Sequence, residues 1–280
     1  MKRVLLPTDF SRNSINAIHY ALDLLKKESC QFYVLNVQKA SSFISDDMMV
    51  VNSSATIYKT LIDAAKKSIQ NIIVGVKKEF DNERHEFHPI IDYDNFIDSI
   101  NQVCETRNID LIIMGTKGAS GLDKVIFGSN TVRVMQRCVA PVLAVPNDYK
   151  FNGLGSVAFM TKNITFTDNS DLKALADLLH GDSLKLKVLH VSDVQNKVIE
   201  QNLNMEFFKT HFPEAKHKFI KFEGADVFGA VHNYIEDDGV ELLAMMSKKH
   251  SFLERLFTRH TVETFAFKID VPFLVMHKNS

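Results

Sequence analysis

Residues 110–145 read DLIIMGTKGASGLDKVIFGSNTVRVMQRCVAPVLAV. Asp110–Met114 is apolar without alternation, the pattern of a strand covered on both faces, as in the middle of a parallel sheet. Residues 115–128 carry glycines and polar side chains and read as a loop. A helix follows from Ser129 to about Cys138, and Pro141–Val145 is a second apolar run. A strand, a loop, a helix and another strand in that order form the repeating step of an α/β sheet protein.

The same step extends outward. Arg3–Pro7 is a short apolar run. After the turn residues Asp9, Ser11 and Asn13, the positions Ile15, Ile18, Leu22 and Leu25 line one face of a helix. Gln31–Val37 (QFYVLNV) is a third strand, and the polar stretch from there to about Thr56 has no assignable period. Leu61, Ala65, Ile69, Ile72 and Val76 mark a long helix with one buried stripe, His85–Ile91 (HEFHPII) a strand, and Ile97, Ile100 and Cys104 a further helix.

The order then recurs. Val157–Met160 echoes Val4–Pro7, Leu186–Val191 echoes Phe32–Val37, and Leu172, Leu175, Leu178 and Leu179 sit on a helix between them. Val240–Met245 echoes Ile109–Met114, and Val271–Met276 echoes Ala140–Val145 at an offset of 131 residues. The expected fold is α/β: two tandem open parallel-sheet, Rossmann-like domains, over 1–147 and 156–280, joined by residues 148–155. A connector this short favours docked halves over independently tumbling ones.

Composition narrows the function. Of 280 residues, 45% are hydrophobic and 24% charged, with 11 glycines and 6 prolines, which is ordinary globular usage. Thirty-three basic residues balance 34 acidic ones, so no global basic field favours nucleic acid or an anionic membrane. Cys30, Cys104 and Cys138 are too scattered for a disulfide framework or a zinc knuckle, and a reducing cytoplasm fits best. The apolar run Val4–Leu6 is too short for a signal peptide, and no stretch approaches the roughly 18 apolar residues of a membrane helix.

The chemistry concentrates where an open sheet binds ligands, beyond the carboxyl ends of its strands. Gly115, Gly118 and Gly128 can take positive φ or let the main chain approach a ligand. Ser129, Asn130 and Thr131 place hydroxyl, amide and free N–H groups at a helix start, where the dipole and orphan donors suit a phosphate. At the mouth of the first strand, Pro7, Thr8 and Asp9 add a carboxylate able to accept hydrogen bonds from a ribose or base, or equally to cap the first helix. Lys117 and Lys124 either supply charge to phosphates or are solvated loop lysines. There is no G-x-x-x-x-G-K-[ST], no G-x-G-x-x-G following a strand, no H-E-x-x-H and no G-x-S-x-G.

The spacing Gly115-x2-Gly118-x9-Gly128-Ser129, preceded by LIIM and followed by PVLAVP, with the opening VLLPTDFS, resembles the universal stress protein family in its tandem two-domain form. The resemblance is specific over 1–147 and weaker over 156–277. It implies ATP held in the first domain, with or without Mg²⁺. Asp9 and Gly115 would lie near the ribose, and the Val37 main chain would pair with adenine. Gly118, Gly128, Ser129, Asn130 and Thr131 would hold phosphate, and Pro7, Thr8 and Met114 would form the remaining wall. It also implies a pseudo-dimer through the last strands, Val142–Val145 against Phe273–Met276, and leaves room for a homodimer. A nucleotide-dependent regulatory protein of the stress response is then the expected function.

Counting back from Thr131-Val132 to the matching Thr261-Val262, the second copy carries Met245, Lys248 and Thr258 at the glycine positions and Arg259 for the serine. Pro7-Thr8-Asp9 becomes Met160-Thr161-Lys162. Bulk where the main chain must be bare predicts one nucleotide site per chain; the contrary reading has Lys248, Arg259 and His260 bind another anion. No general base or water-positioning residue stands out, so no catalytic residue is expected and hydrolysis would be slow at most. The alternatives are a ligand-free interaction module and a slow ATPase or nucleotide-transfer enzyme. His85 and His88 read as surface or edge histidines, and no histidine spacing indicates zinc. The methionines and phenylalanines read as core, the MMVV segment at 48–51 as a lid or partner surface if exposed, and the cysteines as structural thiols.

Overall fold

The computed structural model describes residues 1–38, 51–93, 95–116, 127–161, 166, 169–179, 185–193, 198–222, 227–247 and 270–277. Its elements in chain order are β1 (Lys2–Pro7), α1 (Arg12–Leu24), β2 (Cys30–Val37), α2 (Val51–Phe80), β3 (His85–Asp92), α3 (Phe96–Arg107), β4 (Leu111–Gly115), α4 (Ser129–Arg137) and β5 (Val142–Val145). They continue with β6 (Ser156–Thr161), a 3₁₀ turn (Asn169–Leu172), α5 (Lys173–Leu178), β7 (Lys185–Asp193), α6 (Val198–His211), β8 (Lys216–Phe222), α7 (Val227–Asp237), β9 (Leu242–Ser247) and β10 (Phe273–His277).

Among the described residues ten strands form one sheet, in the order β3-β2-β1-β4-β5-β10-β9-β6-β7-β8. Every pairing is parallel except the central one, where β5 and β10 run antiparallel with Leu143 opposite Leu274. Alternate strand residues feed two cores. One lies under α1, α2, α5 and α6 and holds Leu6, Phe32, Ile18, Ile69, Phe159, Phe208 and Leu274. The other lies under α3, α4 and α7 and holds Leu5, Ile100, Val134, Ile112, Val231 and Phe273. Both cores cross the β5–β10 seam without a break.

The expected strands of residues 1–145 and the mixed α/β class are present, with refinements. Ile73, not Ile72, is the fully buried member of the α2 stripe, because Ile69, Ile73 and Val76 keep the helical period while Ile72 falls at its margin. The helix also begins at Val51, inside the stretch without a period. The helix expected around Leu172–Leu179 is a 3₁₀ turn followed by a six-residue α5. Elements α6, β8 and α7 were not foreseen. Residues 48–50 of the MMVV segment, Lys117 and Lys124 lie outside the described residues, as do Lys162, Lys248 and the segment holding Thr258, Arg259 and His260.

Two sequence expectations need correction. His85 is not a surface residue: β3 is an edge strand, but the His85 ring is 7% exposed and bonds the Leu25 carbonyl at 3.2 Å. The counterpart of Gly115 is Met246 rather than Met245. With Pro7 set against Met160, Leu5 pairs with Ile112 while Ala158 pairs with Leu243, so the sheet register carries Gly115 onto Met246. Met245 matches Met114, and both face the α3–α4–α7 core.

The connector is pinned on both sides. Arg12 pairs with Asp148 at 2.9 Å, Asn16 Nδ2 donates to the Tyr149 carbonyl at 3.0 Å, and Tyr20 packs on the rings of Tyr149 and Phe151. From the other side the Tyr149 hydroxyl donates to the Glu241 carbonyl, and the Glu241 carboxylate accepts from the N–H groups of Gly155 and Ser156.

Candidate functional site

At the carboxyl end of β1 the chain turns sharply into α1. Thr8 is buried, and its hydroxyl accepts from Phe10 N at 3.0 Å and lies 2.9 Å from Ser14 Oγ. Phe10 has φ 65°, a left-handed conformation that bulky residues rarely adopt and that costs of order 1 kcal/mol. Asp9 is exposed, and its Oδ1 accepts from Ser11 N at 3.0 Å in an Asx turn. The helix cap is Ser11, whose hydroxyl accepts from Ser14 N. Asp9 therefore holds the loop without serving as the α1 cap, and its carboxylate stands at the sheet crest.

Asn13, in the first turn of α1, explains Gly115. A methyl group on Gly115 would stand 2.7 Å from Asn13 Nδ2 and 2.8 Å from its Cγ, closer than real Cβ atoms come. Any side chain at 115 would have to displace the Asn13 amide, so the glycine fits this approach of α1 to the end of β4. Positive φ is not the reason at Gly128 either, where φ is −62°.

At Gly128 the chain enters α4 with no side chain to cap it, in contrast to Ser11 on α1 and Asn95 on α3. Val132 N is satisfied by the Gly128 carbonyl, and Gly128 N donates to the Thr116 carbonyl at 2.6 Å. A helix cannot satisfy its own first N–H groups, here Ser129, Asn130 and Thr131, and the positive dipole end is directed with them. Ser129 and Asn130 are exposed. Thr131 is buried, its hydroxyl donating to the carbonyls of Gly115 at 3.0 Å and Thr116 at 3.3 Å. That ties α4 to the tip of β4 and leaves the Thr131 N–H, not its hydroxyl, for a ligand.

Val37 closes the other flank. Leu35 accepts from Thr8 N, so the odd-numbered residues of β2 turn their main-chain groups toward β1. β1 ends at Pro7, and the Asn36 side chain donates to the Thr8 carbonyl at 2.7 Å, taking the acceptor of the next ladder bond. Val37 thus presents main-chain N–H and C=O beyond the end of the neighbouring strand. Pro7 and Met114 are buried beside this edge.

The crest therefore assembles Pro7, Thr8, Asp9, Val37, Met114, Gly115, Gly128, Ser129, Asn130 and Thr131 around the ends of β1, β2 and β4. Gly118 lies outside the described residues. Sequence reasoning read Asn13 as a turn residue, whereas it lies in the first turn of α1, and passed over Asn36; the amides of both shape the edge, and Thr116 was overshadowed by the glycine beside it. The three thiols take no part: all are buried, and burial pushes Cys30 up to about 11 and Cys104 and Cys138 up to about 12. Among the described residues no group of three metal-ligating side chains occurs, and no helix is long and apolar enough to cross a membrane.

In the second half Met246, 3% exposed, takes the register position of Gly115, and Phe166 packs among Phe159, Phe207 and Phe208 beyond β6. His190 takes the register position of Asn36. Its Nε2 lies 2.8 Å from His217 Nδ1, and its ring lies nearly parallel to those of His217 and Phe219.

A universal stress protein of Methanocaldococcus jannaschii is 28% identical over 149 residues, covering 53% of this chain and 84% of the relative. A second from the same organism is 28% identical over 158 residues, covering 51% and 94%. Among solved structures, a universal stress protein from Archaeoglobus fulgidus aligns over 99% of this chain and 98% of its own, with 20% identity and a TM-score of 0.66. That likeness extends the fold over both halves of the sheet. The model of the family described as "Universal stress protein family" matches residues 1–146, and this chain belongs to that family.

Proposed function

We propose that the first half of the chain binds ATP at the crest of β1, β2 and β4 and that the protein is a nucleotide-dependent regulator of a stress response. The observation that carries this reading is the uncapped start of α4, fastened to the tip of β4 by Thr131 and aligned with a side chain-free strand end at Gly115. Donors and dipole there suit a phosphate chain. Asp9 suits ribose hydroxyls, and the displaced main-chain groups of Val37 suit an adenine edge; were Mg²⁺ to accompany the nucleotide, Asp9 would be the residue to help hold it, and the ion would offset phosphate charge. Residues 1–147 and 156–280 are read as two copies of one unit paired through β5 and β10. The second copy, which carries Met246 in place of Gly115 and Lys162 in place of Asp9, serves pairing or regulation, so one nucleotide binds per chain. Buried, unpaired thiols fit a reducing cytoplasm.

The test is equilibrium titration with a fluorescent ATP analogue. Micromolar affinity at one site per chain is expected. Ser129→Glu places a carboxylate at the α4 start, where it favours the helix but repels phosphate. It is expected to weaken ATP at least about tenfold without lowering the melting temperature. Absence of binding at millimolar ATP would sink the reading in favour of a ligand-free interaction module, and turnover near 1 per second or faster would make the protein an enzyme.

A further inference from the structure

Along the edge of the sheet in the first half, two hollows lie between α2 and the odd-numbered side chains of β3. The larger, about 530 Å³, is bounded by Lys66, Lys67 and Gln70 on the helix and by Pro89 and Ile91 on the strand. The smaller, about 230 Å³, is bounded by Val76, Lys77 and Phe80 against Phe87, and the exposed Asp81 and Glu83 also line it. Gln70, Val74 and Lys77 fall at i, i+4 and i+7 on one stripe of α2, so Val74, 55% exposed, stands on the same lip between the two hollows. The Lys77 ammonium lies 5.8 Å from the centre of the Phe87 ring. Together they form one groove, about 15 Å long from Lys67 to Lys77.

The groove is apolar at its floor and unbalanced in charge at one end. Phe87 and Ile91 are half-buried and Pro89 is exposed. Among the described residues neither Lys66 nor Lys67 has an ion-pair partner, and Asp63, one turn earlier, pairs with neither. At the other end Asp81 and Glu83 offset Lys77. The lysine end therefore calls for an acidic partner, and the floor for an apolar one.

The geometry also selects the shape of the occupant. A strand does not suit, because β3 turns its odd-numbered main chain outward and Pro89 removes the central donor. A bilayer is too flat to fill a concave groove, and Asp81 and Glu83 would oppose anionic lipid. A helix satisfies its own main chain and repeats its apolar side chains about every 5–6 Å, close to the roughly 6.6 Å steps from Phe87 to Pro89 to Ile91.

We propose that the α2–β3 groove docks an amphipathic helix of a partner protein, about three turns long, with its apolar stripe on Phe87, Pro89 and Ile91 and its acidic side chains over Lys66 and Lys67. Docking there is independent of whether the crest holds a nucleotide.

The probe is a fluorescein-labelled Ala/Leu peptide of about 18 residues with leucines at i, i+4, i+7 and i+11, glutamates flanking that stripe in its first two turns and glutamines after them. Fluorescence anisotropy with the full-length wild type is expected to give a dissociation constant on the order of 10 µM. The double variant Lys66→Glu, Lys67→Glu should bind it at least about tenfold more weakly, while a peptide with lysines in place of the glutamates should bind the double variant better than the wild type. That exchange of preference shows that the variant is folded. No binding by the wild type at about 1 mM peptide overturns the proposal, as does equal affinity in the double variant or equal binding of a peptide of the same composition with its stripe scrambled. Phosphatidylserine vesicles that bind the wild type but not the double variant would make the face a membrane surface and overturn it as well.

Discussion

At the scale of single residues, the clearest constraint is Gly115 against Asn13. Gly115→Ala forces its methyl into a buried amide, and the expected loss is about 1–3 kcal/mol by denaturant unfolding. Asn13→Ala in the same chain should recover part of that loss; a second change that only adds to the damage would show the contact is not the cause. His190 makes a second prediction. Burial, reinforced by His217, pushes it down to about 4, and burial and Lys209 lower His217 as well. The unfolded chain takes up these protons first, near pH 6.5. Stability is therefore complete above about pH 6.5 and declines as pH falls toward about 4, by up to about 3 kcal/mol for His190. His190→Asn, the residue of the matching position in β2, should flatten that decline between pH 7.5 and 4.5. An unchanged slope would show that the histidine pair does not control it.

At the scale of elements, β3 shows how an exposed strand is kept from recruiting others. The carbonyls of Arg84 and Asp92 accept from Cys30 and Gln38, so the odd-numbered residues of β3 turn their main chain outward. Pro89 falls on that outward set and removes its central donor. Pro89→Val restores the N–H, and sedimentation is expected to reveal self-association absent from the wild type. The strands of residues 1–145 were legible because doubly covered strands are apolar throughout, and Leu111–Met114 could hardly read otherwise. β8 was not: as an edge strand it reads KHKFIKF, and its interspersed lysines hide a strand from a search for apolar runs. The glycines at the crest were legible, yet for an incomplete reason, since Gly115 answers to Asn13 on another element. Met246 was misplaced by one residue because the count passed through a loop whose length the two copies need not share. The strand echo of Val240–Met245 with Ile109–Met114, which the sheet register matches, restores the correct face.

At the scale of the whole molecule, both cores run across the β5–β10 seam, and the connector is fastened by Arg12, Asn16 and Glu241. Thermal unfolding is expected as one transition rather than one per half, measured by calorimetry. Leu274→Asp, opposite Leu143 at the seam, should cost at least about 3 kcal/mol and affect both halves together. A variant that melted the second half alone would show that the halves are energetically separate. The antiparallel seam also has a directional consequence. Strands within each half are parallel, so the loops that follow β1 and β4 and those that follow β6 and β9 emerge at opposite rims, about 15–20 Å apart along the strands. A ligand held at the rim of β1 and β4, as proposed, would therefore lie a full strand length from the opposite rim, and any influence on that rim would pass along the strands or the connector rather than by direct touch.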